Sequence, residues 1–148
     1  MKRLALIGVA GVLLAGCGGS GRLSQSAYEQ KLQSDGKKVQ TSVTALTKTP
    51  PTSLADFAKK IDAAETAVKS AADDLDSLKP PSDASADNDA IVAALRRIQK
   101  GLEQVKSNPT SAQTIVAAIE RSPELKAAEK ATADLKKKGY KVGVIGAP

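Results

Sequence analysis

The chain has 148 residues, enough for one domain, and is 41% apolar but only 2% aromatic, so its core must be built from aliphatic and small side chains, which suits closely packed helices. Its 22 Lys and Arg against 16 Asp and Glu give a formal charge of +6, too mild for a nucleic-acid footprint. One Cys excludes an intrachain disulfide, and the absence of His removes the commonest metal ligand and the commonest general base.

The first element is a targeting segment. Lys2 and Arg3 carry positive charge, Leu4 to Leu14 is apolar, and the small Ala15 and Gly16 precede Cys17, which is the order of a secretory signal over residues 1–16. The apolar run is shorter than the roughly 20 residues a spanning helix needs, and Gly18-Gly19-Ser20-Gly21 does not extend it. The residues Leu14-Ala15-Gly16-Cys17 resemble the lipobox of bacterial lipoproteins. That resemblance implies cleavage between Gly16 and Cys17, a diacylglyceryl group on the Cys17 thiol, and an address on the extracytoplasmic side of the cell membrane or outer membrane. Gly18 in place of Asp implies no inner-membrane retention where an outer membrane exists. Two or three acyl chains, each methylene contributing about 0.8 kcal/mol when buried, hold a protein far more firmly than one chain. Removal of Lys2 and Arg3 would leave 20 basic residues against 16 acidic ones, or +4. After the lipidated Cys, the Gly/Ser-rich stretch up to residue 22 reads as a short flexible tether.

From 23 to 139 the pattern is helical, and an all-α antiparallel up-down bundle of about four helices is expected; an extended helical hairpin that dimerises is the alternative. Ser26-Ala27-Tyr28-Glu29 has the form of a capping box, and Tyr28, Leu32, Val39, Val43 and Leu46 share one face of a first helix. Asp35-Gly36 interrupts that stripe and is expected to bend it, and Pro50-Pro51 ends the helix. With Ser53 as N-cap, Leu54, Phe57, Ile61, Ala64, Val68, Ala71, Leu75 and Leu78 form a heptad-like seam. A helix over 53–78 would be ~39 Å long, and Lys79-Pro80-Pro81 breaks it. The third helix carries Ile91, Leu95, Ile98, Leu102 and Val105 and ends near Pro109. The fourth begins at Pro109 to Ser111 with Ile115, Val116 and Ile119, and breaks or kinks at Ser122-Pro123-Glu124, where Ser caps and Pro takes the first helical position. Leu125, Ala128, Thr132 and Leu135 continue the seam to a C-cap at Gly139. Residues 140–148 switch to extended composition and should lie back against the bundle.

Three stretches invite a site. Asp83-Ala84-Ser85-Ala86-Asp87-Asn88-Asp89 places oxygen side chains at alternate positions, but Asn88 stands where a calcium loop needs Gly, and Ala94 where it needs a closing Glu. Ser82 to Asp89 therefore reads as a helix N-cap with the negative charge a helix start favours, and no metal ligand set is assigned. Lys136, Lys137, Lys138 and Lys141 form a basic cluster suited to an anionic lipid or wall polymer, or else complement the dipole of the last helical turn. Ser34 and Lys37 have the Ser-x-x-Lys spacing of penicillin-binding enzymes without the companion elements, and Gly143-Val144-Ile145-Gly146 lacks the following helix of a phosphate loop.

The middle of the chain, Leu75-Asp76-Ser77-Leu78-Lys79-Pro80-Pro81 with Asp87-Asn88-Asp89 and Ile91 to Arg97, is similar to small helical envelope lipoproteins of unknown function. The similarity implies a helical fold and an envelope address, with no activity attached. With no nucleophile–base pair, metal cluster or cofactor motif, the expected role is a non-enzymatic interaction or scaffold module of the envelope, held to the membrane through Cys17 and docking an envelope protein, anionic lipid or wall polymer, not nucleic acid. The alternative is a carrier for a small apolar ligand or lipid among Ala-rich helices.

Overall fold

A computed structural model describes residues 21–48 and 51–143. The signal segment 1–16, Cys17 and most of the tether, Pro50, and tail residues 144–148 lie outside the described residues. Within them the regular structure is entirely helical: α1 (Gln25–Lys48), α2 (Leu54–Asp76), α3 (Ser85–Ser107), α4 (Ala112–Glu120) and α5 (Pro123–Lys137), with single 3₁₀ turns at Ser82–Ala84 and Pro109–Ser111.

Local chemistry accounts for the boundaries. The cap of α1 lies two residues before the expected one: the Ser24 hydroxyl accepts from the Ala27 N–H at 3.3 Å, and Ser26 lies inside the first turn. Asp35-Gly36 does not end the helix, which runs on to Lys48. Ser53 caps α2 as expected, accepting from the Asp56 N–H, while the Asp56 carboxylate reaches back to the Thr52 N–H. No side chain caps α3; the Ser82–Ala84 turn feeds directly into it, so Ser82 to Asp89 does not supply the expected side-chain cap. The expected fourth helix is two helices, because Arg121 and Ser122 leave the helical path and the Ser122 hydroxyl accepts from the Leu125 N–H ahead of a new start at Pro123. α5 ends in a Schellman turn. Gly139 takes φ +87°, the Tyr140 N–H bonds the Leu135 carbonyl at 3.0 Å, and the Gly139 N–H bonds that of Lys136 at 3.0 Å. That reversal carries Tyr140 and Val142 into the core, so the described part of the tail does lie back on the helices.

α2 packs between α1 and α3, and α3 in turn carries α5 and α4. The shared core is aliphatic and small: Leu32 and Val39 from α1, Ile61, Ala64, Val68, Ala71 and Leu75 from α2, Ile91, Leu95, Leu102 and Val105 from α3, and Ala131 and Leu135 from α5. Each fully buried Leu, Ile or Val contributes about 1.5–3 kcal/mol through removal from water. One close approach depends on glycine. A Cβ on Gly101 of α3 would run into the Ile119 side chain of α4, with Cγ1 at 2.9 Å, so α4 sits where only a hydrogen fits. The starts of α1 and α3 meet the ends of α2 and α5 at one end of the structure. There the Leu23 N–H bonds the Lys79 carbonyl at 2.8 Å, Arg22 donates to the Pro80 carbonyl at 2.9 Å, and Gln25 donates to the Gly139 carbonyl at 2.9 Å. This is the proximal end, where Arg22 and Leu23 lead into α1.

Candidate functional site

The proximal end holds the densest polar network in the described residues. Tyr28 and Tyr140, two of the chain's three aromatic residues, stack edge to face with ring centroids 5.9 Å apart. The Tyr28 hydroxyl donates to Asn88 Oδ1 at 3.1 Å, and Asn88 Nδ2 donates to the Leu75 carbonyl at 3.1 Å, one of those freed where α2 ends. The Tyr140 hydroxyl donates to Asp83 Oδ1 at 2.8 Å. Lys138 Nζ donates to Asp87 Oδ2 at 2.5 Å and to the Asp83 carbonyl at 2.6 Å. Glu29 accepts from the Lys141 N–H and from Gln25, while Gln33 donates to the Lys141 carbonyl at 2.7 Å. One side of the network ties α1 to α3; the other ties residues 138–141 across both.

Its electrostatics follow from burial and pairing. Burial raises the Tyr28 hydroxyl far above its ordinary value, reinforced by the negative charges of Asp87 and Asp89 and by Tyr140. Burial, then the bond to Asp83, pushes Tyr140 up to about 12. The hydrogen bond to Asp87 raises Lys138, and the Lys141 N–H, followed by Gln25, lowers Glu29. Tyr28, Tyr140 and Lys138 donate and Glu29 accepts within these structural bonds, and the arrangement holds residues 138–141 in place.

Sequence reasoning singled out four lysines here, and the structure separates them. Lys138 is engaged by Asp87, and Lys137 pairs with Asp134 at 3.3 Å. Lys136 and Lys141 are exposed. Around them Arg22 and Lys79 alternate with Glu29, Asp83 and Asp89, so the proximal end has mixed charge rather than one sign. Gly16 and Cys17 lie outside the described residues. Asp83 and Asp87 from the calcium-like stretch are taken up by Tyr140 and Lys138. Ser34 and Lys37 both line an open groove of about 880 Å³ between α1 and α2, which also presents Thr41, Ser42, Thr66 and Ser70. Inside the bundle, a recess bounded by Leu32, Asp35, Gly36, Leu75 and Leu95 measures about 10 Å³, room for one water at most.

Sequence periodicity did not reveal the other end. Among the described residues three large apolar side chains stand in solvent: Val43 at 37%, Leu54 at 81% and Val116 at 48% exposure. Leu54 heads the α2 seam by spacing, yet the buried seam begins only at Ile61, with Phe57 half-buried. α4 reads Ala-Gln-Thr-Ile-Val-Ala-Ala-Ile-Glu and buries none of its residues completely. No described helix is long and apolar enough to cross a membrane. No protein-family model, curated protein or solved structure matches the chain.

Proposed function

We propose that the chain is a lipoprotein of the cell envelope, anchored through lipid on Cys17, and that its helices form a non-enzymatic docking module. In this reading α1, α2, α3 and α5 make an antiparallel up-down bundle, with α4 appended to α3. The meeting of two helix starts and two helix ends at residues 22–28, 75–88 and 138–141 supports that order. The tether leaves from the same end, so the proximal end faces the membrane and the far end points away from it.

The observation that carries the reading is the position of the exposed apolar residues. Isolated surface Leu or Val is ordinary, but here all three stand away from the proximal end. Leu54 opens a helix of 23 residues that runs back towards the anchor, about 34 Å of axis. Val43 follows 18 positions after Gln25 in α1, and Val116 belongs to the helix seated at Gly101 of α3. A module presenting apolar side chains at its far end suits a protein partner in the envelope. The mixed charge of the proximal end favours orientation by the anchor over a strong basic contact with anionic lipid or wall polymer. A ligand held among the helices would need them to part, given the 10 Å³ recess.

The test has two parts in the full chain expressed in an exporting bacterial host. Lipid labelling and membrane fractionation of Cys17→Ser should show loss of label and release from the membrane; retention of both ends the anchor reading. Photo-crosslinking groups placed separately at Leu54 and Val116 should join one protein species, and the Val116 crosslink should be lost with Leu54→Glu. Equal crosslinking from Lys136 and Lys141, or no dependence on Leu54, would place docking elsewhere.

A further inference from the structure

We propose that α1 is a helix in two parts, hinged at Asp35-Gly36, whose second part, residues 37–48, opens from α2 as a unit. The first part is secured from every side. Tyr28 and Leu32 are 0% and 1% exposed, Tyr28 bonds Asn88, Leu23 bonds the Lys79 carbonyl, and Gln25, Glu29 and Gln33 hold the C-terminal segment. The second part has one fully buried apolar residue, Val39; Val43 is 37% exposed and Leu46 is half-buried. Along its outer side an open groove of about 880 Å³ runs between Ser34 to Ser42 of α1 and Asp62 to Ser70 of α2, so solvent flanks this stretch of α1 on the side away from Val39. Few buried apolar contacts and an adjacent solvent-filled groove are the physical marks of a segment that opens below the global stability of its domain.

The junction itself is built against continuity. Asp35 is 2% exposed, and its Oδ2 has no hydrogen-bond partner, while Oδ1 is held by Lys38 at 2.8 Å. A buried carboxylate oxygen without a partner destabilises the closed helix, and opening would solvate it. Gly36 follows, the residue with the greatest backbone freedom and the weakest preference for a helix interior apart from proline. Both residues border the recess of about 10 Å³ at Leu32, Val39, Ala71, Leu75, Ile91 and Leu95, so the closed packing at this point is imperfect as well. Lys38 bridges the junction by pairing with Asp35 and reaching Asp74 of α2 at 3.8 Å, a surface contact that breaks at little cost. Opening would uncover the α2 surface level with residues 37–48, adding the neighbourhood of Ile61 to the apolar far end. That consequence rests on the docking reading; the hinge itself does not.

Amide hydrogen exchange resolved along α1 of the full chain tests the hinge. The expected profile is a step at Gly36: amides of 28–34 strongly protected, and those of 39–46 sharing one rate at least ten-fold faster. A smooth gradient running inward from Lys48 would be end fraying and would overturn the proposal, as would equal protection in the two parts. Gly36→Ala should slow exchange of 39–46 about five-fold, the equivalent of the roughly 1 kcal/mol by which Ala exceeds Gly in a helix, without altering 28–34. Asp35→Leu should slow the same amides further by removing the unpartnered oxygen. If Asp35→Leu fails to fold, Gly36→Ala decides alone, and a Gly36→Ala that slows both parts equally refutes the hinge.

Discussion

Raising the pH beyond 10 should unfold this protein through its two tyrosines instead of merely ionising them. Both phenols are buried and donate hydrogen bonds, Tyr28 to Asn88 and Tyr140 to Asp83. Their folded-state pKa values lie above the ordinary value of 10.0, with Tyr140 at about 12 and Tyr28 higher still. For such groups the unfolded chain releases its protons first. The stability they contribute is complete below pH 10, falls as the pH rises above it, and is gone once the folded values are passed. Tyr140 alone spans two units between 10.0 and about 12, about 2.7 kcal/mol at 1.36 kcal/mol per unit, and roughly 1–2 kcal/mol once solvent screening at the end of the bundle is allowed for. Lys138 acts in the same direction, since its bond to Asp87 raises its pKa and is lost as the pH climbs through that raised value. Because the chain has two Tyr and no Trp, tyrosinate absorbance reports these phenols without interference. In an alkaline titration, absorbance and helical circular dichroism should change together in one transition starting above pH 10. Tyr140→Phe, which cannot ionise, should make stability fall less steeply with pH across the same interval. A phenol that titrates near 10 while the helical signal stays intact would refute the burial and bonding assigned to that tyrosine.

Two further substitutions probe the packing that holds the candidate site together. Asn88→Ala removes the acceptor of the Tyr28 hydroxyl and one of the donors to the Leu75 carbonyl, which keeps the Leu78 N–H, and the stranded Tyr28 hydroxyl should cost about 1–3 kcal/mol in denaturant unfolding; a cost under about 0.5 kcal/mol would mean that water replaces the side chain at this end. Gly101→Ala forces a methyl into the Ile119 side chain, an overpacking cost of about 1–3 kcal/mol against a helix-propensity gain of up to about 1 kcal/mol. Ile119→Val in the same chain should relieve most of that clash, and strictly additive effects of the two changes would show that α4 is not seated on Gly101.

Much of the helical framework is legible in the sequence because it depends on short-range rules. The spacing of Ile61, Ala64, Val68, Ala71 and Leu75, the Ser53 cap, the break at Ser122-Pro123 and the Gly139 stop each involve residues within two helical turns, and each stands in the structure where the pattern puts it. Ser26 misled because Ser24 offers the same hydroxyl two positions earlier and α1 starts from it. Asp35-Gly36 interrupts the apolar stripe without ending the helix: α1 is continuous through it, and the interruption appears as an unpartnered oxygen and a small recess.

What the sequence by itself determined is the helical class, the aliphatic character of the core and most helix ends, since capping, periodicity and composition act locally. The resemblance of Leu14-Ala15-Gly16-Cys17 to a lipobox is likewise a local pattern and yields an expectation of address. Only the tertiary structure decided that Lys138 is spent on Asp87, that Tyr28 and Tyr140 meet from opposite ends of the chain, and that Leu54 stays in water although its spacing matches a buried seam. Burial and charge pairing across sequence separations of 51 or more depend on which helices become neighbours, and periodicity along one helix cannot say where its partner stops.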